Sequence, residues 1–378
     1  MNIAFLTPEY PHPRIGPAGG IGTGIFNLAR GLVKLGHQPV VLVYGQDRDA
    51  YFEEGNIGFY LIRNVKFKGL SWLLTRKKIQ FLINSLHAKG KIDIVEAPDW
   101  TGISAFVKTR CPMVIRLNGS DTYFCHLDKR PVKPFTKFLE KAAIRQADGL
   151  ISVSDYTARV TNQVFGLDNT FKIIPNSIEP AGFVSSAEEP DPHTVLYFGT
   201  LIRKKGLLEL PAIFNLVIEK NPEAKLVLAG RDSADIATGS PSTWEMMQPM
   251  FSARAKTRVS YLGPVDYNLV PELISKAAVC VFPTFAEAFP LSWLEAMAME
   301  KAIVASGIGW APEMIQDGVS GFLAHPTDHA EFAAKIASLL SDASLRETLG
   351  KNARQRVVEN FDNRIIAQQS VDYYSTLL

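Results

Sequence analysis

The sequence predicts an α/β protein built from two doubly wound domains, and three observations carry that expectation. Its 378 residues exceed a single ordinary core, since domains run to about 100–200 residues. Short β-branched runs alternate with helical stretches throughout the chain. After the polar, proline-containing stretch Ser185-Ser186-Ala187-Glu188-Glu189-Pro190-Asp191-Pro192 the same alternation starts again. With 47% hydrophobic and 21% charged residues, the composition is that of a folded globular protein and excludes disorder as the main state.

In the first half, strands are predicted at 3–7, 40–43, 59–65, 92–96, 113–117, 150–153 and 172–174. Apolar runs this short and unalternated suit parallel strands covered on both faces. Between the first two lies an apolar stripe at helical spacing, Ile21, Ile25, Leu28, Ala29, Leu32 and Leu35, ending at Gly36. In the second half, strands are expected at 195–198, 226–229, 259–262, 279–282 and 303–305, with helices at 207–218, 291–299 and 331–340. The domains expected are therefore 1–177 and 194–362, joined by a linker at 178–193. Ligands of such sheets bind beyond the carboxyl ends of the strands, so a cleft between the two domains is the expected place for chemistry.

Cys111, Cys125 and Cys280 are odd in number and widely spaced, which fits neither a disulfide framework nor a zinc cluster and suggests a reducing compartment. No signal peptide and no membrane-spanning run of 18 apolar residues is read in the chain, so a cytoplasmic protein is expected. The net charge of +2 hides an asymmetry. Residues 1–177 hold 23 basic and 14 acidic side chains and the remainder 17 and 24, so the two parts carry +9 and −7. The first half is the one suited to an anionic partner.

Three segments carry chemistry. Pro17-Ala18-Gly19-Gly20-Ile21-Gly22-Thr23-Gly24 lies between the first strand and the first helix, where helix-start N–H groups can approach a phosphate or sugar. Its glycines do not match the dinucleotide fingerprint G-x-G-x-x-G, and a simple tight turn is the alternative. Phe198-Gly199-Thr200-Leu201-Ile202-Arg203-Lys204-Lys205-Gly206 sets three consecutive cations at the end of the second half's first strand, which suits a diphosphate or, alternatively, a solvated basic loop. The stretch 285–299 follows the strand at 279–282, and Pro290 marks a helix start near Leu291. Glu287 precedes that helix. Glu295 lies within it among Trp293, Leu294, Ala296 and Met297, and an acid in such apolar surroundings needs a partner, for which sugar hydroxyls are expected.

Taken together these segments resemble the retaining GT-B glycosyltransferases of family 4. The signature E-x7-E is matched by Glu287 and Glu295, followed by E-A-M-A, the strand Lys301-Ala302-Ile303-Val304-Ala305, Gly309 with Glu313, and D-G-x-x-G at Asp317–Gly321. The glycine loop, Gly36-His37, Ile174-Pro175-Asn176 and G-x5-K-G from Gly199 to Gly206 extend the resemblance over nearly the whole chain. It implies the GT-B fold, with two Rossmann-like domains facing a cleft and a final helix at 363–378 crossing back to the first domain. It further implies a metal-independent retaining hexosyltransferase that moves a sugar from a nucleotide diphosphate sugar, UDP favoured over GDP, to a hydroxyl acceptor in polysaccharide or glycolipid synthesis.

By the same resemblance, Lys205 and Glu287 act at the diphosphate and the donor sugar, with Arg203 beside them, and Glu295 binds the ribose. Gly20, Gly22, Thr200, Arg231, Phe289, Pro290, Leu291 and Ser292 complete the donor side, and Asn118 and Asp99 stand on the acceptor side. Three positions depart from the family pattern. Thr200 replaces an arginine, leaving Arg203 or Arg231 as the second cation. Asn118 stands where many members carry histidine, and an amide carries no proton at neutral pH. Pro290 replaces a glycine and has no N–H to offer.

No cofactor and no metal is expected: Asp47-Arg48-Asp49 matches a D-x-D pattern but reads as a solvated loop, and the histidines form no ligand cluster. Lys133, Lys137, Lys141 and Arg145 recur every four residues beside an apolar face. Either this is a solvated helix packing Phe138 and Leu139 inward, or it meets an anionic membrane or lipid-linked acceptor. The expected partners are thus a nucleotide sugar, a glycan or lipid-linked acceptor and an anionic membrane face, with no nucleic acid. The alternatives are a non-catalytic subunit that binds nucleotide or glycan, and a sugar-nucleotide epimerase.

Overall fold

The structure, a computed structural model, describes residues 1–184 and 190–378. Residues 185–189, part of the expected linker, lie outside the described residues. The chain divides into two compact units, Met1–Glu179 with Phe361–Leu378, and Pro180–Asn360.

The first unit holds strands β1 (Asn2–Thr7), β2 (Gln38–Gln46), β3 (Ala50–Glu54), β4 (Ile57–Arg63), β5 (Ile94–Pro98), β6 (Met113–Leu117), β7 (Gly149–Ser152) and β8 (Lys172–Ile173). They form one sheet in the order β3-β4-β2-β1-β5-β6-β7-β8. Its helices are α1 (Gly20–Lys34), α2 (Ser71–Ala88), α3 (Asp121–Leu127), α4 (Pro134–Gln146) and α5 (Asp155–Phe165). The unalternated run in β1 has a direct cause. Ile3 and Phe5 pack on one face with Val41, Val43 and the α1 residues Leu28 and Leu32, while Ala4 and Leu6 pack on the other with Leu42, Ile79 and Val95.

Strand β3 was not expected. It pairs antiparallel with β4 through a turn at Gly55-Asn56, both at positive φ, as a two-residue hairpin requires. At this sheet edge Phe52 stacks on Phe59 while Tyr51 stays 56% exposed, so the strand is only half apolar.

The second unit holds β9 (Thr194–Phe198), β10 (Lys225–Ala229), β11 (Val259–Tyr261), β12 (Val279–Phe282), β13 (Ala302–Ser306) and β14 (Phe322–Ala324) in the order β11-β10-β9-β12-β13-β14. Every pairing is parallel. The three-residue β14 was also not expected, because it is too short to show a period. The helices are α6 (Leu210–Lys220), α7 (Thr243–Met247), α8 (Ala253–Lys256), α9 (Val270–Ser275), α10 (Leu291–Ala298), α11 (Ala311–Met314), α12 (His329–Ser341) and α13 (Ala343–Asn360).

The last helix, α14 (Asn363–Ser375), returns to the first unit and lies on α1. The two meet at Gly31, where a Cβ would stand 2.4 Å from the Asn363 carbonyl oxygen, so only glycine permits this approach. Beneath α14, Arg116 Nε donates to Glu96 Oε1 at 2.8 Å, Arg116 Nη1 to the Ile174 carbonyl at 3.0 Å, and the Tyr374 hydroxyl to Glu96 Oε2. The buried guanidinium and carboxylate thereby satisfy each other.

In both sheets the winding reverses beside the first strand. β1 lies between β2 and β5, and β9 lies between β10 and β12. The loops leaving those strands at their carboxyl ends are where an open parallel sheet leaves a crevice for a ligand.

Candidate active site

In the second unit the crevice is formed by the loop after β9 and the loop after β12. Gly206 closes the first at φ +73, where a Cβ would lie 1.7 Å from the Pro283 carbonyl oxygen. The Lys204 carbonyl accepts the N–H groups of Phe285 at 2.8 Å and Ala286 at 3.2 Å. This backbone seam brings together two residues 82 positions apart: Lys205 Nζ stands 3.2 Å from Glu287 Oε1. Gly199, at φ +138, turns the loop beneath the lysine in a conformation that favours glycine, and a Cβ there would meet Lys205 Nζ at an ordinary contact distance of 3.5 Å. Tyr197 is fully buried below, with its hydroxyl donating to the Thr200 carbonyl at 2.9 Å. Burial and the nearby Glu287 charge hold that phenol well above its ordinary range.

Pro290 is the N-cap of α10, and Leu291 and Ser292 open the helix, where N–H groups have no carbonyl of their own helix to reach. The positive end of the helix dipole lies at this loop. Phe289 is buried behind it. One turn further in, Glu295 is 6% exposed, and burial pushes its carboxyl up to about 7, against the opposing pull of the Tyr267 hydrogen bond and the Lys205 charge. It has a protein partner as well as the expected sugar hydroxyls: the Tyr267 hydroxyl donates to Glu295 Oε1 at 2.9 Å. Tyr267 lies in a short helical turn with no motif around it, and the only signal pointing to it was the need of a buried acid for a donor.

The cations around this crevice differ in their freedom. Arg203 makes a two-pronged bond to Asp235, Nε to Oδ1 and Nη2 to Oδ2 both at 2.7 Å, and Thr238 donates to the same carboxylate. Arg203 is therefore held by Asp235 rather than standing ready for a phosphate. Asp235 is in turn kept well below the usual carboxylate range by that guanidinium. Arg231 is exposed, and its carbonyl accepts the Leu201 N–H at 2.8 Å.

In the first unit, the glycine loop after β1 uses its own N–H groups. Gly22 donates to Glu9 Oε1 at 3.0 Å, and a Cβ on Gly22 would come within 2.7 Å of Ala18 Cβ. Gly22 thus serves the packing of its own loop, whereas Gly20 faces open space. Asp99, after β5, is fully buried and accepts the Asn118 N–H at 2.9 Å. Burial raises its carboxyl to about 7 although that hydrogen bond pulls the other way. Glu140 of α4 supports both loops: its carboxylate accepts the N–H groups of Thr101, Asp121 and Thr122 and the Thr122 hydroxyl. The motif at Asp47-Arg48-Asp49 is accounted for otherwise, since Lys78 Nζ lies 2.6 and 2.7 Å from the Asp49 oxygens and the Arg63 N–H adds a third bond. Among the described residues no three His, Cys, Asp or Glu side chains gather as a metal site would require.

Comparison with known proteins identifies the family. The family of glycosyl transferases group 1 matches residues 180–356, and glycosyltransferase family 4 matches residues 18–181. An uncharacterized glycosyltransferase of Methanocaldococcus jannaschii, MJ1607, is 26% identical over 99% of this chain and 98% of its own length. The capsular polysaccharide biosynthesis glycosyltransferase CapM of Staphylococcus aureus is 29% identical over 81% of this chain and 79% of its own. The crystal structure of Anabaena HepE in complex with UDP and glucose superimposes with a TM-score of 0.76 at 19% identity, covering both chains completely. The chain belongs to the group 1 glycosyltransferases and has the GT-B fold. It is a glycosyltransferase, and its relatives include one of polysaccharide synthesis.

Proposed function

We propose that this glycosyltransferase moves a hexose from a UDP-sugar to a hydroxyl of a glycan or lipid-linked acceptor, with retention at the anomeric carbon and without a metal. The observation that carries the reading is the Lys205–Glu287 pair at the point where the second sheet reverses its winding, beside the start of α10. In the transfer, the bond from the anomeric carbon to the diphosphate oxygen breaks and negative charge grows on that oxygen. Lys205 and the N-terminal N–H groups of α10 stabilise the charge where it develops. The acceptor oxygen bonds to the same face of the sugar and its proton passes to the departing phosphate, so no protein nucleophile is needed. Glu287, already paired with Lys205, orients the sugar hydroxyls. Asp99 and Asn118 face the acceptor in this reading. HepE, with UDP and glucose bound, supports UDP as the donor nucleotide, and CapM supports a saccharide acceptor.

A thermal-shift screen of nucleotides and nucleotide sugars tests the donor. A ligand at 100 times its Kd adds about 2.7 kcal/mol to stability, so UDP and UDP-hexoses are expected to raise the melting temperature by several degrees and GDP compounds by little. Stabilisation by GDP-sugars and none by UDP would overturn the choice of donor.

Glu295 gives the binding a pH signature. A ribose diol donates to the ionised carboxylate, so nucleotide binding draws the proton off a group that holds it up to about pH 7. UDP affinity is expected to rise between pH 6 and 8 by roughly tenfold more in the wild type than in Glu295→Gln, with titration calorimetry as the readout. Parallel pH profiles for the two proteins would show that Glu295 does not meet the ribose.

A further inference from the structure

The first unit carries an aromatic surface outside the residues assigned to glycosyl transfer. Four aromatic rings from three separate segments meet on it. Trp72, at the start of α2, lies 5.4 Å from Phe135 and 6.3 Å from Phe106, centroid to centroid, and Phe138 lies 6.0 Å from Phe106 and 6.5 Å from Phe135. Phe135 and Phe138 remain 51% and 54% exposed, so of the two readings of this helix the one that packs both Phe138 and Leu139 inward holds for Leu139 alone. The segment leading into α2 adds Phe67 and Leu70, both exposed. Phe106 is held at φ +63, a conformation a bulky residue adopts only when its surroundings impose it. Single exposed apolar residues are ordinary, but rings gathered from three segments are not.

The segments that bring these rings together carry charge of one sign. Segments 66–72, 106–110 and 132–138 contain Lys66, Lys68, Lys108, Arg110, Lys133 and Lys137 and not one Asp or Glu. Glu140, on the inner side of α4, is fully buried and spends its oxygens on Thr101, Asp121 and Thr122. We propose that this face docks on an anionic lipid bilayer, with Trp72, Phe135 and Phe138 entering the interfacial layer and the lysines meeting phosphate head groups. The cationic rim argues for lipid over the other occupants. A second copy of the chain, paired face to face, would set lysines against lysines with no acid between them, and protein interfaces are depleted in lysine.

The position of the surface gives docking a use. The helix that shows Phe135 and Phe138 outward holds, through Glu140, the loops that carry Asp99 and Asn118. A lipid-linked acceptor would therefore have its anchor in the bilayer while its sugar reached those residues, a consequence that rests on the acceptor reading above. Docking itself does not.

Sedimentation of the full chain with phosphatidylcholine vesicles, with and without phosphatidylglycerol, tests it. The wild type is expected to partition onto the anionic vesicles and to leave as salt is raised. Lys133→Gln/Lys137→Gln/Lys141→Gln should weaken partitioning by about 10²-fold or more. Phe135→Ser/Phe138→Ser should lose about tenfold or more at low salt, and all remaining binding at salt that screens the lysines. Phe81→Ser is the control: this phenylalanine is 77% exposed on α2 but half a turn out of phase with Trp72, and its loss should change nothing. Donor hydrolysis should be equal in all variants, which separates failure of docking from failure of the transferase reading. Equal sedimentation with neutral and anionic vesicles at low salt overturns the proposal, as does unchanged binding by Phe135→Ser/Phe138→Ser. So does a vesicle-independent dimer abolished by that pair, which would show that a second copy covers the face.

Discussion

Lys205→Ala is expected to lower kcat by about 10²–10³ while changing the donor KM far less, in steady-state assays with a UDP-hexose. In the proposed transfer the lysine faces the oxygen on which charge grows as the glycosidic bond breaks, and its contribution is then larger in the transition state than in the bound donor. Its position depends on glycine at two places: Gly206, which lets the loop turn against the Pro283 carbonyl, and Gly199, whose φ of +138 favours glycine. If Lys205→Ala raised only KM, the lysine would be a plain phosphate anchor.

Glu287→Ala is expected to reduce kcat by about 10² and to leave UDP binding nearly intact, because the proposed function gives its carboxylate to the sugar end of the donor. The 3.2 Å contact with Lys205 adds a second signature. Removing both side chains should cost less than the product of the two single losses, since each variant already breaks the pair. Near-normal turnover by Glu287→Ala would make it an incidental acid, and strict multiplicativity would mean that the two groups act apart.

Much of this architecture was legible because parallel strands announce themselves. The continuous apolar residues of β1, β12 and β13 are covered on both faces, so composition alone marks them. Strand β3 escaped because an edge strand that keeps Tyr51 in solvent and pairs through a Gly-Asn turn has little apolar content to show. The direction of Phe138 stayed open for a related reason. Helical periodicity says which residues share a face, but Phe135 and Phe138 face outward toward Trp72 and Phe106, which come from segments far away in sequence.

The candidate site was legible where its residues lie close in sequence and obscure where they are assembled across it. Glu287, Pro290 and Glu295 belong to one loop and helix, and Lys205 follows a glycine turn after a strand. Tyr267, which donates to Glu295, and Asp235, which holds Arg203, come from loops with no pattern of their own. Arg203 shows the consequence. As a cation beside Lys205 it looked like a second phosphate ligand, yet only the fold reveals the carboxylate 32 positions away that engages it.

Retaining transfer from a UDP-hexose can be followed by proton NMR of the anomeric signal during turnover by the purified chain. UDP is expected to appear together with a product whose first-formed anomer has the configuration of the donor sugar, before mutarotation mixes the two. A first-formed product of inverted configuration, or no release of UDP above the uncatalysed background from any UDP-hexose tried, would contradict it.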